Sequence, residues 1–205
     1  CSVYAVIVHY FLVVLLATAG YFIGTFPSAI MVAKANGIDI TAVGSGNPGA
    51  SNVARALGMR KGAYVYGLDA VKGAVATGLG LAIFGNAAAF WCAAAAVIGH
   101  VYPITRRFAG GKGVATASGA MLVVHPFISL GLLFLWAVLS KTTKKASVSS
   151  LIITFLLPVC IAAAGAPGWE VGATVGIGVL VVIRHIPNLR RLRSGLEPSL
   201  PSKPT

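Results

Sequence analysis

Long apolar runs, cut by short clusters of glycine, proline and basic residues, divide the chain. Runs near 5–33, 62–84, 86–105, 148–165 and 169–186 each hold enough consecutive apolar residues to cross a bilayer as a helix. A further run, 114–139, is apolar throughout but broken by His125-Pro126. As one helix it would reach about 39 Å at about 1.5 Å per residue, enough for one crossing of a core about 30 Å thick. Charge argues for two crossings. With a single one, Lys141, Lys144, Lys145 and the arginine-rich tail lie opposite the basic loops at 34–61 and 106–112. With two, as short tilted helices meeting at Pro126, every Lys and Arg except Lys72 falls on one side, as the positive-inside rule requires.

The pattern therefore predicts an all-α integral membrane protein of about seven transmembrane helices, two of them short. Its amino terminus lies outside and its carboxyl terminus in the cytoplasm. Five spans with a surface-lying hairpin is the alternative. The 205 residues form a single polytopic domain, 1–205.

Composition excludes a soluble protein: 57% of residues are hydrophobic, only 10% are charged and the mean hydropathy is +0.88, against about 25% charged in ordinary soluble domains. The net charge of +12 would suggest nucleic acid in a soluble chain. Here it sits in short loops between apolar spans, where anionic headgroups explain it, so membrane lipids are the expected partner and nucleic acid is not. Cys1, Cys92 and Cys160 are too scattered for a disulfide framework or a metal site; Cys92 and Cys160 read as small packing residues. No metal-ligand cluster, cofactor or obligate protein partner is evident. The first apolar run is too long for the core of a cleavable signal peptide, and an opening on Cys1 rather than methionine suggests further residues upstream.

Three polar loops share the predicted cytoplasmic side. The first is GSGNPGASNVAR, residues 44–55. Gly44, Gly46 and Gly49 let an anion approach backbone amides, Ser45, Asn47, Ser51 and Asn52 add hydroxyl and amide donors, and Arg55 can grip a phosphate with two parallel bonds. A tight turn followed by a capped helix is the competing reading. The second is GHVYPITRRFAGGKGVAT, residues 99–116, in which Gly110, Gly111, Lys112 and Gly113 could wrap a phosphate. Lys112 is followed by Gly113 rather than Ser or Thr, so this is not a nucleotide-hydrolysing loop. Lys112 also reads as a solvated inside charge, and His100 as a helix-end carbonyl cap.

The third loop is IRHIPNLRRLRSGLE, residues 183–197. His185 and Asn188, three apart, share a helix face if Pro187 allows it. Among arginines, including Arg184, the imidazole tends to stay neutral and able to accept a proton. Arg190, Arg191 and Arg193 read as headgroup anchors, and Glu197 among them as a structural ion-pair partner. Within a span, Asp69 and Lys72 are spaced to pair, because a lone charge in the bilayer is costly. They are expected to face the interior near the cytoplasmic end, holding the loops or touching a ligand.

These three motifs, in this order and spacing, resemble those of the bacterial acyl-phosphate:glycerol-3-phosphate acyltransferases, the PlsY family, and GLDAVKG at 67–73 resembles the segment after that family's first motif. The match runs from Gly44 to Glu197. Departures are mild: Ser51 stands where Thr is frequent, Tyr102 where Phe is usual, and Thr105-Arg106 where the loop is commonly more apolar. The resemblance implies transfer of a fatty acyl group from acyl phosphate to the sn-1 hydroxyl of glycerol 3-phosphate, at the cytoplasmic face of the bacterial plasma (inner) membrane. The products would be 1-acylglycerol 3-phosphate, or lysophosphatidate, and phosphate.

It also implies roles. The loop of Gly110, Gly111, Lys112 and Gly113 would hold the phosphate of glycerol 3-phosphate. Ser45, nearby amides and Arg55 would hold acyl phosphate and stabilise charge developing on its carbonyl oxygen. His185 and Asn188 would orient the acceptor hydroxyl, with His185 the candidate base unless a substrate phosphate oxygen takes the proton. Ser45, His185 and Asn188 are thus the expected catalytic residues, with Gly44, Gly46, Asn47, Gly49, Ser51, Asn52, Lys72, His100 and Arg184 among the substrate-binding ones. Asp69 and Glu197 would support them.

An acyl-Ser45 intermediate is disfavoured, because no carboxylate is evident to orient a Ser-His pair. The His-x-x-x-x-Asp motif of acyltransferases with soluble donors is absent: the fifth residue after His9, His100, His125 and His185 is Val14, Thr105, Leu130 and Arg190. A small transporter of an anionic, phosphorylated solute is the rival reading, although no internal repeat supports it.

Overall fold

The computed structural model describes residues 3–201, so Cys1 lies outside the described residues. It is all-helical: α1 Val3–Gly24, α2 Ser28–Lys34, α3 Ala50–Leu57, α4 Met59–Phe84, α5 Asn86–Val101, α6 Val114–Val124, α7 Pro126–Thr143, α8 Ala146–Ala163, α9 Gly168–Arg184 and α10 Ile186–Arg193, with a 3-10 turn at Ile104–Arg106. By length and composition the candidate spans among the described residues are Val3–Lys34, α4, Asn86–Arg106, α7 and α8, with a sixth if the pair α9 and α10, bent by 53°, is one broken span. The break at His125-Pro126 falls where the sequence places it, since proline cannot donate to the preceding turn but opens a helix readily. Of the two helices it separates only α6, with 11 residues, is short; α7, with 18, is long enough to cross alone. A count of seven needs α6, about 17 Å long, as one of its members.

Tight backbone approach fixes the helix order. A Cβ on Gly24 of α1 would lie 2.1 Å from the Ala96 carbonyl oxygen of α5, and one on Gly99 of α5 would lie 2.0 Å from that of Tyr21. Between α4 and α6 the same holds: a Cβ on Gly73 would meet the Thr116 oxygen at 2.0 Å, and one on Gly119 the Ala70 oxygen at 1.8 Å. Without a hydrophobic difference between lipid and side chain, such small-residue contacts are what bring membrane helices together. The α4–α6 contact sets the charged pair of α4 beside the start of α6, where the Lys112 loop enters. Phe90, Ala93, Val97, Val101, Ala120, Met121 and Ile177 of α5, α6 and α9 form the main core, and Ala29, Ala33, Ile40, Val53 and Val65 pack beneath the first loop.

At the far end of the bundle, where α4 hands over to α5, the buried Glu170 at the start of α9 gathers two other elements. Its Oε1 accepts from Asn86 Nδ2 at 2.5 Å, and its Oε2 lies 3.0 Å from His125 Nε2 at the α6–α7 break. Phe90 packs edge-on against both His125 and Trp169.

Candidate active site

The first loop is held from within by Asn52. Its Nδ2 donates to the carbonyls of Ile40 (3.1 Å) and Val43 (3.0 Å), and its Oδ1 accepts from the Ser45 amide at 3.0 Å. Gly44 turns the chain here at φ +59°, and a Cβ on it would lie 2.4 Å from Asn52 Oδ1. Asn52 is therefore the staple of this loop, its side chain engaged by backbone. Arg55, one turn further on α3, donates from Nη2 to Ser45 Oγ at 3.2 Å and Asn52 Oδ1 at 3.3 Å.

The second loop is built by Arg184 and His100. Arg184 donates from Nη2 to the Gly110 carbonyl at 2.9 Å and from Nε to that of Gly111 at 3.2 Å, while its guanidinium lies 5.5 Å from the Tyr102 ring centroid. The Gly111 amide in turn donates to the His100 carbonyl at 3.1 Å. Because a trans peptide sets its C=O and N–H in opposite directions, holding the Gly111 carbonyl on Arg184 turns the Lys112 N–H the other way. Arg184 thus acts on the loop from behind.

At the third loop the chain bends at His185, whose Nδ1 donates to the Val181 carbonyl at 2.8 Å. In the neutral imidazole that leaves Nε2 as the acceptor. Asn188, on the same side of the bend, donates from Nδ2 to Glu197 Oε1 at 2.6 Å, and its buried Oδ1 has no protein partner. Glu197 also accepts from Ser147 Oγ (2.7 Å) and Arg191 Nε (2.9 Å). Burial raises the Glu197 carboxyl, but these three hydrogen bonds outweigh it and hold the group below the usual carboxylate range.

The three loops close around one cavity of about 290 Å³. Ser45, Asn47, Gly49, Ser51, Asn52, Arg55, Asp69, His100, Lys112, Gly113, His185, Asn188 and Glu197 line it. Gly44, Gly46, Gly110, Gly111 and Arg184 shape its wall without lining it. Lys72 stands apart from the expectation that it binds substrate: its ammonium sits 2.7 Å from Asp69 Oδ1 and donates to the Phe26 carbonyl at 3.0 Å, outside the lining. Ser147, Ser150, Tyr66 and Trp136, which the motifs do not single out, also line the cavity; Trp136 donates from Nε1 to Ser150 Oγ at 3.0 Å and stacks on Tyr66. The serine cluster opening α8 was the one signal for Ser147 and Ser150.

Charge is unevenly used. Among the described residues Lys112 makes neither an ion pair nor a hydrogen bond, and Arg55 has no carboxylate in an ion pair with it. Burial pushes the Lys112 ammonium down to about 8, with Arg191, Arg55 and Arg184 adding to the shift and Glu197 opposing it. Burial also lowers Arg55. Two half-buried cations without counter-ions beside an unpartnered amide oxygen form a receptor for an anion that also carries a hydroxyl. Among the described residues there is no group of His, Cys, Asp and Glu fit to hold a metal ion.

The model of the glycerol-3-phosphate acyltransferase family matches residues 14–195, which include the first two loops and the third up to Gly195. The chain belongs to this family. It is 42% identical over 190 residues to the glycerol-3-phosphate acyltransferase of Geobacter sulfurreducens, covering 89% of this chain and 95% of that protein. It is 35% identical over 179 residues to that of Aquifex aeolicus, covering 86% and 93%. Crystal structures of the integral membrane glycerol 3-phosphate acyltransferase PlsY (YgiH), in a glycerol 3-phosphate form and a lysophosphatidic acid form, superpose with TM-scores of 0.88 and 0.86 at 33% identity, over 93% of this chain and 96% of theirs. The all-helical membrane fold expected of the family is the fold observed.

Proposed function

We propose that the chain transfers a fatty acyl group from acyl phosphate to the sn-1 hydroxyl of glycerol 3-phosphate, at the cytoplasmic face of the bacterial inner membrane, as the first acylation of phospholipid synthesis. The observation that carries this reading is the unpaired Lys112 ammonium facing one cavity with Arg55, His185 and the free Oδ1 of Asn188. Lys112, through its ammonium and the backbone amide turned out by Arg184, takes the acceptor's phosphate. Asn188 Oδ1 accepts a hydrogen bond from its glycerol hydroxyl.

The hydroxyl oxygen attacks the acyl carbonyl, its proton passing to His185 Nε2 or to a substrate phosphate oxygen. Arg55, with the Ser45 hydroxyl it holds, stabilises charge on the carbonyl oxygen. The bond from carbonyl carbon to phosphate oxygen then breaks, and inorganic phosphate leaves. No covalent enzyme intermediate is needed, since acyl phosphate is already activated.

The apolar side of the cavity suits a membrane-borne donor. Met59, Leu133 and Trp136 line it, and so do Ala63 of α4 and Ala137 of α7, both exposed on the bundle surface. A second, apolar pocket of about 50 Å³ between α6, α7, α8 and α9 shares Val114 and Leu133 with the first. Together they give the chain a path from a polar reaction centre into lipid.

The test uses purified protein in lipid with radiolabelled glycerol 3-phosphate, comparing palmitoyl phosphate, palmitoyl-CoA and palmitoyl-acyl-carrier protein. Lysophosphatidate formed from palmitoyl phosphate alone is the expected result. No product from any donor, with glycerol 3-phosphate still bound, would overturn the reading and favour a carrier of phosphorylated solutes.

A further inference from the structure

Behind the glycine loop lies a buried polar chain that the reaction does not use directly. Asp69, in α4 and almost fully buried, accepts from Ser28 Oγ at 2.8 Å and from Lys72 Nζ at 2.7 Å, and its Oδ1 lies 3.6 Å from His100 Nδ1. That nitrogen is buried and makes no hydrogen bond, so Asp69 faces it as a nearby charge rather than a bonded acceptor. The opposite edge of the ring faces the loop: a Cβ on Gly111 would lie 2.2 Å from His100 Nε2 and 2.8 Å from Cε1. The backbone of the same residue completes the contact, since the His100 carbonyl accepts the Gly111 amide and would lie 2.1 Å from a Cβ on Gly110. His100 therefore touches the loop through ring and carbonyl at once, while the Asp69 charge faces the ring from the far side. The glycines at 110 and 111 are the residues that let the loop descend onto it.

We propose that Asp69 and His100 are positioning residues that set the height of the Gly110-Gly111 loop, and through it the affinity for the phosphate of the acceptor substrate. Lys72 neutralises Asp69, and Ser28 holds it, so the carboxylate survives inside the bundle as a fixed charge. Arg184 grips the loop carbonyls from one side and the Asp69–His100 pair supports it from beneath. The donor substrate, held by the first loop, does not feel the pair. This inference rests on the acyltransferase reading for its kinetic arm and stands independently in its binding arm.

The experiment measures steady-state kinetics with both substrates varied, beside titration calorimetry of glycerol 3-phosphate, for Asp69→Asn, His100→Ala and the double variant. Each single change should raise KM for glycerol 3-phosphate about tenfold, within the range of coupling between residues in contact. KM for acyl phosphate and kcat should stay within about twofold, and the double variant should be no worse than either single one, as expected of residues acting as a unit. Effects that multiply in the double variant, or a fall in kcat with KM unchanged, would overturn the proposal.

Asp69→Asn leaves Lys72 charged inside the bundle, so the same measurement is made on Asp69→Asn/Lys72→Met, which removes both charges together. Ser28→Ala, a milder change at the same carboxylate, should move KM for glycerol 3-phosphate in the same direction by less; no movement would count against the pair. If wild-type protein makes no lysophosphatidate, the acyltransferase reading falls, and weakened calorimetric binding in the variants still decides for the pair while unchanged binding decides against it.

Discussion

The two ends of this bundle bury polar groups in opposite ways. At the far end Glu170 accepts a hydrogen bond from Asn86 and stands 3.0 Å from His125 Nε2, although that nitrogen makes no hydrogen bond. At the cavity end Lys112 and Arg55 have no carboxylate of their own, and Asn188 keeps an empty acceptor. Both arrangements sit in a chain where an unmatched polar group costs several kcal/mol. The contrast is one of charge: a buried carboxylate answered by groups from other helices ties them together, and buried cations left without a paired carboxylate are completed by a ligand.

The sharpest way to break this contrast is to remove the group expected to move the proton. His185→Ala should lower kcat by about 100-fold or more if Nε2 is the base, within the ordinary range for general catalysis. Melting temperature should fall as well, because His185 is buried and loses packing along with its Val181 hydrogen bond, so kcat is read on the folded fraction. Retention of most turnover assigns the proton to a substrate phosphate instead.

Next in size is Lys112→Ala. Losing a charge-assisted contact to phosphate should raise KM for glycerol 3-phosphate by about 10- to 100-fold. The unliganded protein should melt no lower than wild type, since the change removes a charge that burial disfavours. A matching loss of stability would show that Lys112 belongs with the groups that tie helices together.

Much of this contrast was legible beforehand, and the illegible part has one cause. Pro126 marks the helix break because its chemistry is local, and Asp69 and Lys72 pair because three residues on a helix bring them together. The three glycine-rich loops announce an anion site by composition alone. Arg184 reads as a phosphate ligand, however, because nothing in the sequence shows that Gly110 and Gly111, 74 and 73 residues away, take its donors. Asn52 looks like a substrate donor until the carbonyls of Ile40 and Val43 claim it. Glu170 and His125 carry no signal at all, as their meeting depends on how α6 and α9 stand in the bundle. Residue types are visible in one dimension; whether their hydrogen bonds are already spent is not.

The pH dependence of Lys112 sharpens the contrast within a single residue. Its ammonium is pushed down to about 8 from an ordinary 10.5, so the free enzyme loses this proton as pH rises through about 8. Affinity for glycerol 3-phosphate should be flat in this respect below about 8 and fall up to tenfold per pH unit above it. Stability runs the other way. Between about 8 and 10.5 the unfolded chain binds this proton and the folded one does not, so stability from this group rises with pH across that window. Titration calorimetry and thermal melts at pH 7, 8, 9 and 10 would show the two trends crossing, and Lys112→Arg should abolish both.

The smallest expected effect on activity belongs to Glu170→Ala, and it carries the other half of the comparison. Breaking a buried polar cluster by removing one partner costs about 3 kcal/mol, because the groups left behind lose their acceptor. Thermal unfolding should therefore drop by several degrees, more than for Lys112→Ala. Yet Glu170 touches nothing that lines the cavity, and its partners Asn86 and His125 sit at the other end of α5 and α6 from His100 and Lys112. kcat and both KM values of the folded fraction should stay within about twofold of wild type, since distant sites without shared partners act independently. A raised KM for glycerol 3-phosphate would mean that the length of α6, pinned at His125, sets the position of the Lys112 loop at its opposite end. The far cluster would then belong to the site as well as to the fold.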